Sequence, residues 1–143
     1  MMSIERVEYG TMPGGEKVEQ IVLKSKTGMV LKAITYGCRV TNLLVPDKNG
    51  DLGDVIMGFD SLDGYTASRN FQGAAVGRYA NRIGGAAFSL DGARYSLTVN
   101  ENKNQLHGGK GFAERIWKID GTTDGDFPSV TFSYLSADGE EGY

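Results

Sequence analysis

The residues best suited to chemistry lie in the middle of the chain, between positions 73 and 112. Arg78 and Arg82 provide planar guanidinium donors, Asn81 provides an amide, and His107 is the only histidine. An imidazole both donates and accepts hydrogen bonds, and its charge changes near neutral pH in model compounds. Directional groups of this kind are suited to binding hydroxyl-rich small molecules. The pattern therefore predicts a polar binding site around His107.

A glycine-rich loop surrounds the histidine. Gly108, Gly109 and Gly111 follow His107 closely, so the backbone can bend sharply there or let a ligand approach without obstruction by a Cβ atom. Loops of this type often carry function. The competing interpretation is a histidine with a structural role, which is the more frequent fate of this residue type; the glycine-rich loop favours the site.

The two arginines are four residues apart in a strand-like segment, which predicts that their side chains project to the same face. A salt bridge to an acidic strand neighbour is the competing interpretation for both. Acidic residues at 138, 140 and 141 suggest either an acid cluster or a solvated turn, and the solvated turn is favoured because no histidine accompanies them. No metal site is predicted. Three aromatic residues could stack on a ligand, although core packing is commoner for them: Tyr79, Phe112 and Trp117.

Composition limits the function classes. Glycine makes up 21 of 143 residues and proline only 3, which is typical of a turn-rich β protein. The net charge of -3 and the pI near 5.1 give no basic surface for nucleic acid or anionic lipid. A neutral small-molecule partner is favoured. The single Cys38 excludes an internal disulfide.

The N-terminal stretch MMSIERVEYG contains Glu5, Arg6 and Glu8. These charges interrupt any apolar run, so the sequence predicts neither a signal peptide nor a transmembrane segment. A cytoplasmic location without membrane contact is the resulting expectation.

Short segments rich in β-branched residues predict strands at 18–23, 29–36, 40–45 and 54–59, with a helical turn at 60–65 capped by Asp60 or Ser61. Residues 73–76 are expected to be extended. Asp91 and Gly92 predict a hairpin turn, flanked by alternating apolar residues that place one face inward. Residues 100–111 show neither period and are predicted to form a loop. Two further strands are expected around Trp117 and at 130–134.

Many short strands separated by Gly and Asp turns, without a long helical period, predict an all-β fold, an antiparallel β-sandwich or barrel. No internal repeat or interdomain linker is visible in residues 1–143.

Taken together, the motifs resemble the aldose 1-epimerase, or galactose mutarotase, family. The matching motifs occur in register along nearly the whole chain: GRYANRI at 77–83, Asp91-Gly92, NQLHGG at 104–109, Gly111-Phe112, Trp117 and DGEEGY at 138–143. The resemblance implies the large β-supersandwich of that family, with residues 1–143 as the N-terminal portion of a single sandwich domain.

The resemblance also implies a function. The substrate is a free aldohexose such as galactose or glucose, no cofactor is needed, and Asn81, Arg82 and His107 bind the sugar, with His107 also assisting near the ring oxygen. The family's main acid and base lie beyond a DGEEGY-like segment, and this sequence stops at Tyr143. The isolated chain is therefore expected to be inactive, and to self-associate or to pair with a complementary C-terminal half. The alternatives are a non-catalytic carbohydrate-binding protein and a truncated or split fragment.

Overall fold

The computed structural model describes residues 3–68 and 70–143, which leaves Met1, Met2 and Arg69 outside the described residues. These residues form mostly strands, with one short α-helix and three 3-10 turns. The elements in chain order are β1 (Ser3–Thr11), β2 (Lys17–Lys24), β3 (Val30–Ile34), β4 (Arg39–Pro46), β5 (Leu52–Asp54), α1 (Leu62–Ala67), β6 (Arg82–Ile83), β7 (Ala87–Leu90), β8 (Ala93–Ser96), β9 (Gln105–Leu106), β10 (Lys118–Thr123) and β11 (Ser129–Ser133), with 3-10 turns at Gly84–Ala86, Phe112–Glu114 and Glu140–Gly142.

The first five strands form one antiparallel sheet in chain order, β1-β2-β3-β4-β5. Because side chains alternate along a strand, Val18 and Ile21 of β2 lie on opposite faces of this sheet. Val18 packs with Leu62 and Tyr65 of α1. Ile21 belongs to a cluster that Val130 and Phe132 of the β10–β11 hairpin cover. The sheet is therefore covered on both faces.

The core residues of the sheet are almost fully enclosed. Val18 and Ile34 have no exposed surface, and Ile21 is 1% exposed. Each such side chain contributes about 1.5–3 kcal/mol through burial of apolar surface. The predicted all-β, antiparallel sandwich is confirmed, and so are the strands predicted from residue 18 to residue 45.

Local signals for the helix and the hairpin are also confirmed. The Ser61 side chain accepts a hydrogen bond from the Gly64 N–H at 3.5 Å at the start of α1, as expected of an N-cap. Between β7 and β8, Asp91 and Gly92 have φ values of 51° and 79°. Leu90, however, is 56% exposed, so the hairpin does not bury all of its apolar residues.

The predictions of extended structure at 54–59 and 73–76 are wrong. Of the predicted strand at 54–59, only Asp54 lies in a strand, at the end of β5. The Asp54 carboxylate accepts hydrogen bonds from the N–H groups of Leu43 and Ile56, so the Ile56 N–H bonds to a side chain and not to a strand partner. Residues 73–76 form no regular strand; Gly73 adopts a φ of 65° there. Conversely, the segment Ser3–Thr11 forms an edge strand that was not predicted, because its charged residues leave no apolar periodicity in the sequence.

No helix within the described residues is both long and apolar enough to cross a membrane.

Candidate functional site

A two-stranded ladder brings the predicted site residues together. Arg82 of β6 pairs with Leu106 of β9, which places Asn81 and His107 directly beyond the end of this ladder. The His107 N–H donates to the Asn81 carbonyl oxygen at 2.9 Å. The loop predicted at 100–111 therefore contains the short strand β9. A strand of two residues is too short to produce a periodic pattern in the sequence.

The backbone on both sides of this junction is left-handed. Asn81 has a φ of 65° and His107 a φ of 52°, and Gly108 and Gly109 follow with φ values of 77° and 65°. Asparagine tolerates this conformation better than most residues do. Gly108 has no substitute, since a Cβ atom built there would overlap the carbonyl oxygen of Gly77. The glycines thus let two backbone segments touch beside the histidine.

The histidine ring is oriented by the backbone of its neighbour. The Asn81 N–H donates to His107 Nδ1 at 2.9 Å, and the Phe71 ring packs against the imidazole with a centroid distance of 4.8 Å. A nitrogen that accepts a hydrogen bond carries no proton, so a neutral His107 carries its proton on Nε2. The imidazole therefore presents Nε2–H as a donor.

The tautomer is directly measurable, because His107 is the only histidine. In a long-range ¹H–¹⁵N correlation spectrum, at a pH where the ring is neutral, we expect Nδ1 to resonate as a pyridine-type nitrogen and Nε2 as a pyrrole-type nitrogen. The reverse pattern would show that the Asn81 N–H does not bond to the ring in solution.

Arg82 forms the salt bridge that was its competing interpretation, with Glu101, an acidic residue that the sequence did not single out. Its Nε donates to Glu101 Oε2 at 2.9 Å and its Nη2 donates to Glu101 Oε1 at 2.5 Å. Its Nη1 donates to Asn81 Oδ1 at 3.2 Å. The hydrogen bond with Arg82 lowers the pKa of Glu101 below its ordinary value and raises the pKa of the guanidinium. The sequence feature that could have indicated this pairing is Glu101 itself, an acidic residue three positions before Asn104 in a polar loop.

The three predicted binding residues therefore form one cluster, joined by hydrogen bonds. Asn81 and Arg82 are exposed and His107 is half-buried, so their polar groups are accessible from solvent. Hydroxyl groups are suitable partners for the donors that remain.

Arg78 belongs to a different set of contacts. Its Nη2 donates to Ser136 Oγ at 2.9 Å and to the Ala137 carbonyl at 2.6 Å, and its guanidinium lies 5.4 Å from the Tyr143 ring centroid. The prediction that Arg78 and Arg82 share a strand face is wrong, because residues 78–81 are irregular and Arg82 begins β6. The contacts of Arg78 are those of a structural residue.

The acidic turn is not uniformly solvated. The side chain of Glu140 is only 9% exposed, and it accepts hydrogen bonds from Arg115 Nε at 2.8 Å and Tyr134 Oη at 2.5 Å, and from Ser136 Oγ. The prediction of a solvated turn is wrong for this residue. Its hydrogen bonds connect the turn at 138–143 to Arg115 and to the end of the preceding strand segment. Asp138 in the same turn is exposed, as predicted.

Two of the aromatic residues pack with each other. The rings of Phe112 and Trp117 are 5.6 Å apart in an edge-to-face arrangement, and Tyr134 completes this cluster. Tyr79 is 64% exposed. Phe112 and Trp117 are half-buried in this aromatic cluster, outside the two core clusters of the sheet.

A cleft of about 390 Å³ lies beside the histidine. Phe71, which packs on the His107 ring, and Asn100, which bonds to Leu106, both line it. The three predicted binding residues do not line the cleft. It is a neighbouring depression and not the surface on which the predicted residues meet.

Comparison with known proteins identifies the family. Residues 19–143 match the sequence model of the family described as aldose 1-epimerase. The chain belongs to the aldose 1-epimerase family. The galactose mutarotase of Bos taurus is 43% identical over 145 residues, and the aldose 1-epimerase of Haemophilus influenzae is 37% identical over 131 residues. These alignments cover 100% and 92% of this chain.

The structural comparison agrees with the observed fold. The galactose 1-epimerase from Lactobacillus acidophilus matches all of this chain with a TM-score of 0.84 at 24% identity, and an aldose epimerase homologue from C. elegans matches 99% of it with a TM-score of 0.75 at 26% identity. The chain spans about 41% of the length of the bovine relative and of the L. acidophilus structure. The predicted family is confirmed.

Proposed function

We propose that this chain supplies the sugar-binding wall of an aldose 1-epimerase, which interconverts the α- and β-anomers of a free hexose such as galactose or glucose. The observation that carries the proposal is the hydrogen-bonded cluster of Asn81, Arg82 and His107. These are the residues for which the family resemblance implies sugar contacts. Residues 1–143 are, in this proposal, the N-terminal portion of one sandwich domain.

The chemistry requires positioned hydrogen bonds and proton transfer. Mutarotation removes the proton from the anomeric hydroxyl and delivers a proton to the ring oxygen, so that the ring opens, the C1–C2 bond rotates and the ring closes on the other face. The reaction involves no oxidation or reduction, so a redox cofactor is not required. The Nε2–H of His107 and the free N–H groups of Arg82 would hold the sugar oxygens and fix the ring for this exchange.

The proposal places the main acid and base outside residues 1–143. The guanidinium and the amide in the cluster do not exchange protons near neutral pH, and Glu101 is already bonded to Arg82. His107 is then the one proton-transfer group of the cluster, whereas the reaction needs both an acid and a base. The proposed partner is accordingly a complementary C-terminal half, or a second copy of this chain, in the cytoplasm. Apolar side chains exposed on the described surface support a covering partner: Val55 at 63%, Met57 at 79% and Leu135 at 90%.

Sugar titration tests the binding part of the proposal. D-galactose added to the ¹⁵N-labelled chain should shift the signals of Asn81, Arg82 and His107. His107→Ala should weaken binding by roughly fivefold, the effect of losing one hydrogen bond of about 1 kcal/mol. Arg78→Ala is the matched control, because it should lower stability and leave the affinity of the folded chain unchanged. Equal losses in the two variants, or no shift in the unmodified chain, would refute the site.

Polarimetry tests the catalytic part. The isolated chain should not accelerate the mutarotation of fresh α-D-galactose appreciably, since loss of one positioned proton-transfer group costs about 10²- to 10⁴-fold. Activity should appear when a complementary C-terminal half is supplied. Full activity of the chain alone would show that its own groups perform the proton transfers. Sugar binding without activity in either sample would favour a carbohydrate-binding protein.

A further inference from the structure

The carboxylate of Glu101 occupies one whole side of the Arg82 guanidinium. Nε lies 3.1 Å from Oε1 and 2.9 Å from Oε2, and Nη2 lies 2.5 Å from Oε1. This side-on arrangement fixes the plane of the guanidinium as well as its position. Arg82 alone, on a flexible side chain, would sample several rotamers.

The arrangement determines which donors of Arg82 remain. Glu101 accepts hydrogen bonds from the Nε–H and from one N–H of Nη2, and Asn81 Oδ1 accepts from one N–H of Nη1. Among the described residues, one N–H on Nη1 and one on Nη2 are left without a protein acceptor. These two remaining donors are suited to hydroxyl oxygens of a bound sugar.

Glu101 is itself held in a tight turn. Its backbone pairs with that of Asn104, with N–H to carbonyl distances of 3.2 and 2.8 Å in the two directions. The Asn104 side chain accepts from the Gly85 N–H at 3.1 Å. The Asn100 side chain bonds both backbone groups of Leu106, at 2.6 and 2.9 Å. These contacts attach the turn to β9 and to the 3-10 turn that follows β6, next to the residues of the site.

We propose that Glu101 is a positioning residue, which orients Arg82 so that its remaining donors face hydroxyl oxygens of the bound hexose. This inference rests on the proposed function. The side chains of Arg82 and Glu101 are 53% and 27% exposed, and ion pairs this exposed contribute little to folding stability. Removing the pair should therefore affect sugar binding much more than folding.

A second ion pair in the same chain provides a matched control. Glu19 accepts from Arg6 in the same side-on manner, at 2.6 Å from Nε and 2.5 Å from Nη2, on strands β1 and β2. Glu101→Gln and Glu19→Gln thus remove the same charge from the same geometry. Only the first lies at the proposed site.

The experiment uses the full chain and D-galactose as the probe. Glu101→Gln should weaken galactose binding by roughly five- to tenfold, with a change in Tm no larger than that of Glu19→Gln. Glu101→Asp, which retains the charge, should recover part of the affinity. The Arg82 Nε–H signal should shift and exchange faster with solvent in Glu101→Gln.

The following results would contradict the positioning role of Glu101 or the proposed function. Unchanged galactose affinity in Glu101→Gln, or a loss of Tm far beyond that of Glu19→Gln, would overturn the positioning role. If the unmodified chain does not bind galactose, the proposed function fails, and the Arg82 Nε–H signal separately shows whether Glu101 orients the guanidinium; an unchanged signal in Glu101→Gln would overturn that as well.

Discussion

Replacing Gly108 with alanine should lower the free energy of unfolding by about 3 kcal/mol or more and disrupt the cluster around His107. A Cβ atom at this position would overlap the Gly77 carbonyl oxygen, which is backbone and cannot rotate away. The left-handed φ of 77° adds about 1–2 kcal/mol of conformational strain, and overpacking adds about 1–3 kcal/mol. Urea unfolding measures the loss, and the shifted signals of His107 and Asn81 report the disruption.

Gly92→Ala is the control for the backbone strain. Gly92 has nearly the same φ, 79°, but a Cβ atom there meets no atom within 4 Å. This variant should lose about 1–2 kcal/mol and leave the His107 signals unchanged. Similar losses in the two variants would show that the segments at Gly77 and Gly108 separate easily, and that their close approach is not what fixes the site.

Replacing Glu140 with glutamine should lower the free energy of unfolding by about 2–3 kcal/mol, since hydrogen bonds to a charged group are worth about 1.5–3 kcal/mol. The largely enclosed carboxylate accepts from Arg115, Tyr134 and Ser136. A glutamine amide presents an NH₂ group to these donors and leaves some of them unpaired. Glu19→Gln, in an exposed pair, should lose no more than about 1 kcal/mol.

The Glu140 contribution should also depend on pH. Burial alone raises the pKa of Glu140, but the hydrogen bonds from Ser136, Tyr134 and Arg115 outweigh it and lower the pKa below its ordinary value. A lowered pKa means that the stabilisation is fully present above the ordinary glutamate pKa of about 4.3, and is lost as the pH falls through the lower value in the folded chain. The difference in stability between Glu140→Gln and the unmodified chain should therefore shrink under acid conditions. A difference independent of pH would contradict the assigned role of the charge.

Local sequence signals predicted much of the fold. The Asp91-Gly92 turn and the Ser61 cap each depend on interactions within a few residues, and the β-branched segments that become β2, β3 and β4 pair with the strands next to them in the chain. Such interactions act in the same way wherever the segment lies in the fold. Patterns that the tertiary environment overrides were predicted less well: β1 is a charged edge strand, and β5 ends at Asp54 because of a side-chain contact with β4.

The sequence by itself determined the residue types of the site and, through motifs in register, the family to which they belong. It singled out Asn81, Arg82 and His107, but it did not show how they meet. Only the tertiary structure decided that Asn81 donates its N–H to His107, that Arg82 pairs with Glu101, and that the Glu140 side chain is largely enclosed while Asp138 is exposed. Each of these outcomes depends on groups separated by 19 or more positions or on the burial of a turn. Distance along the chain does not determine distance in space, and burial depends on what the rest of the fold places over a residue.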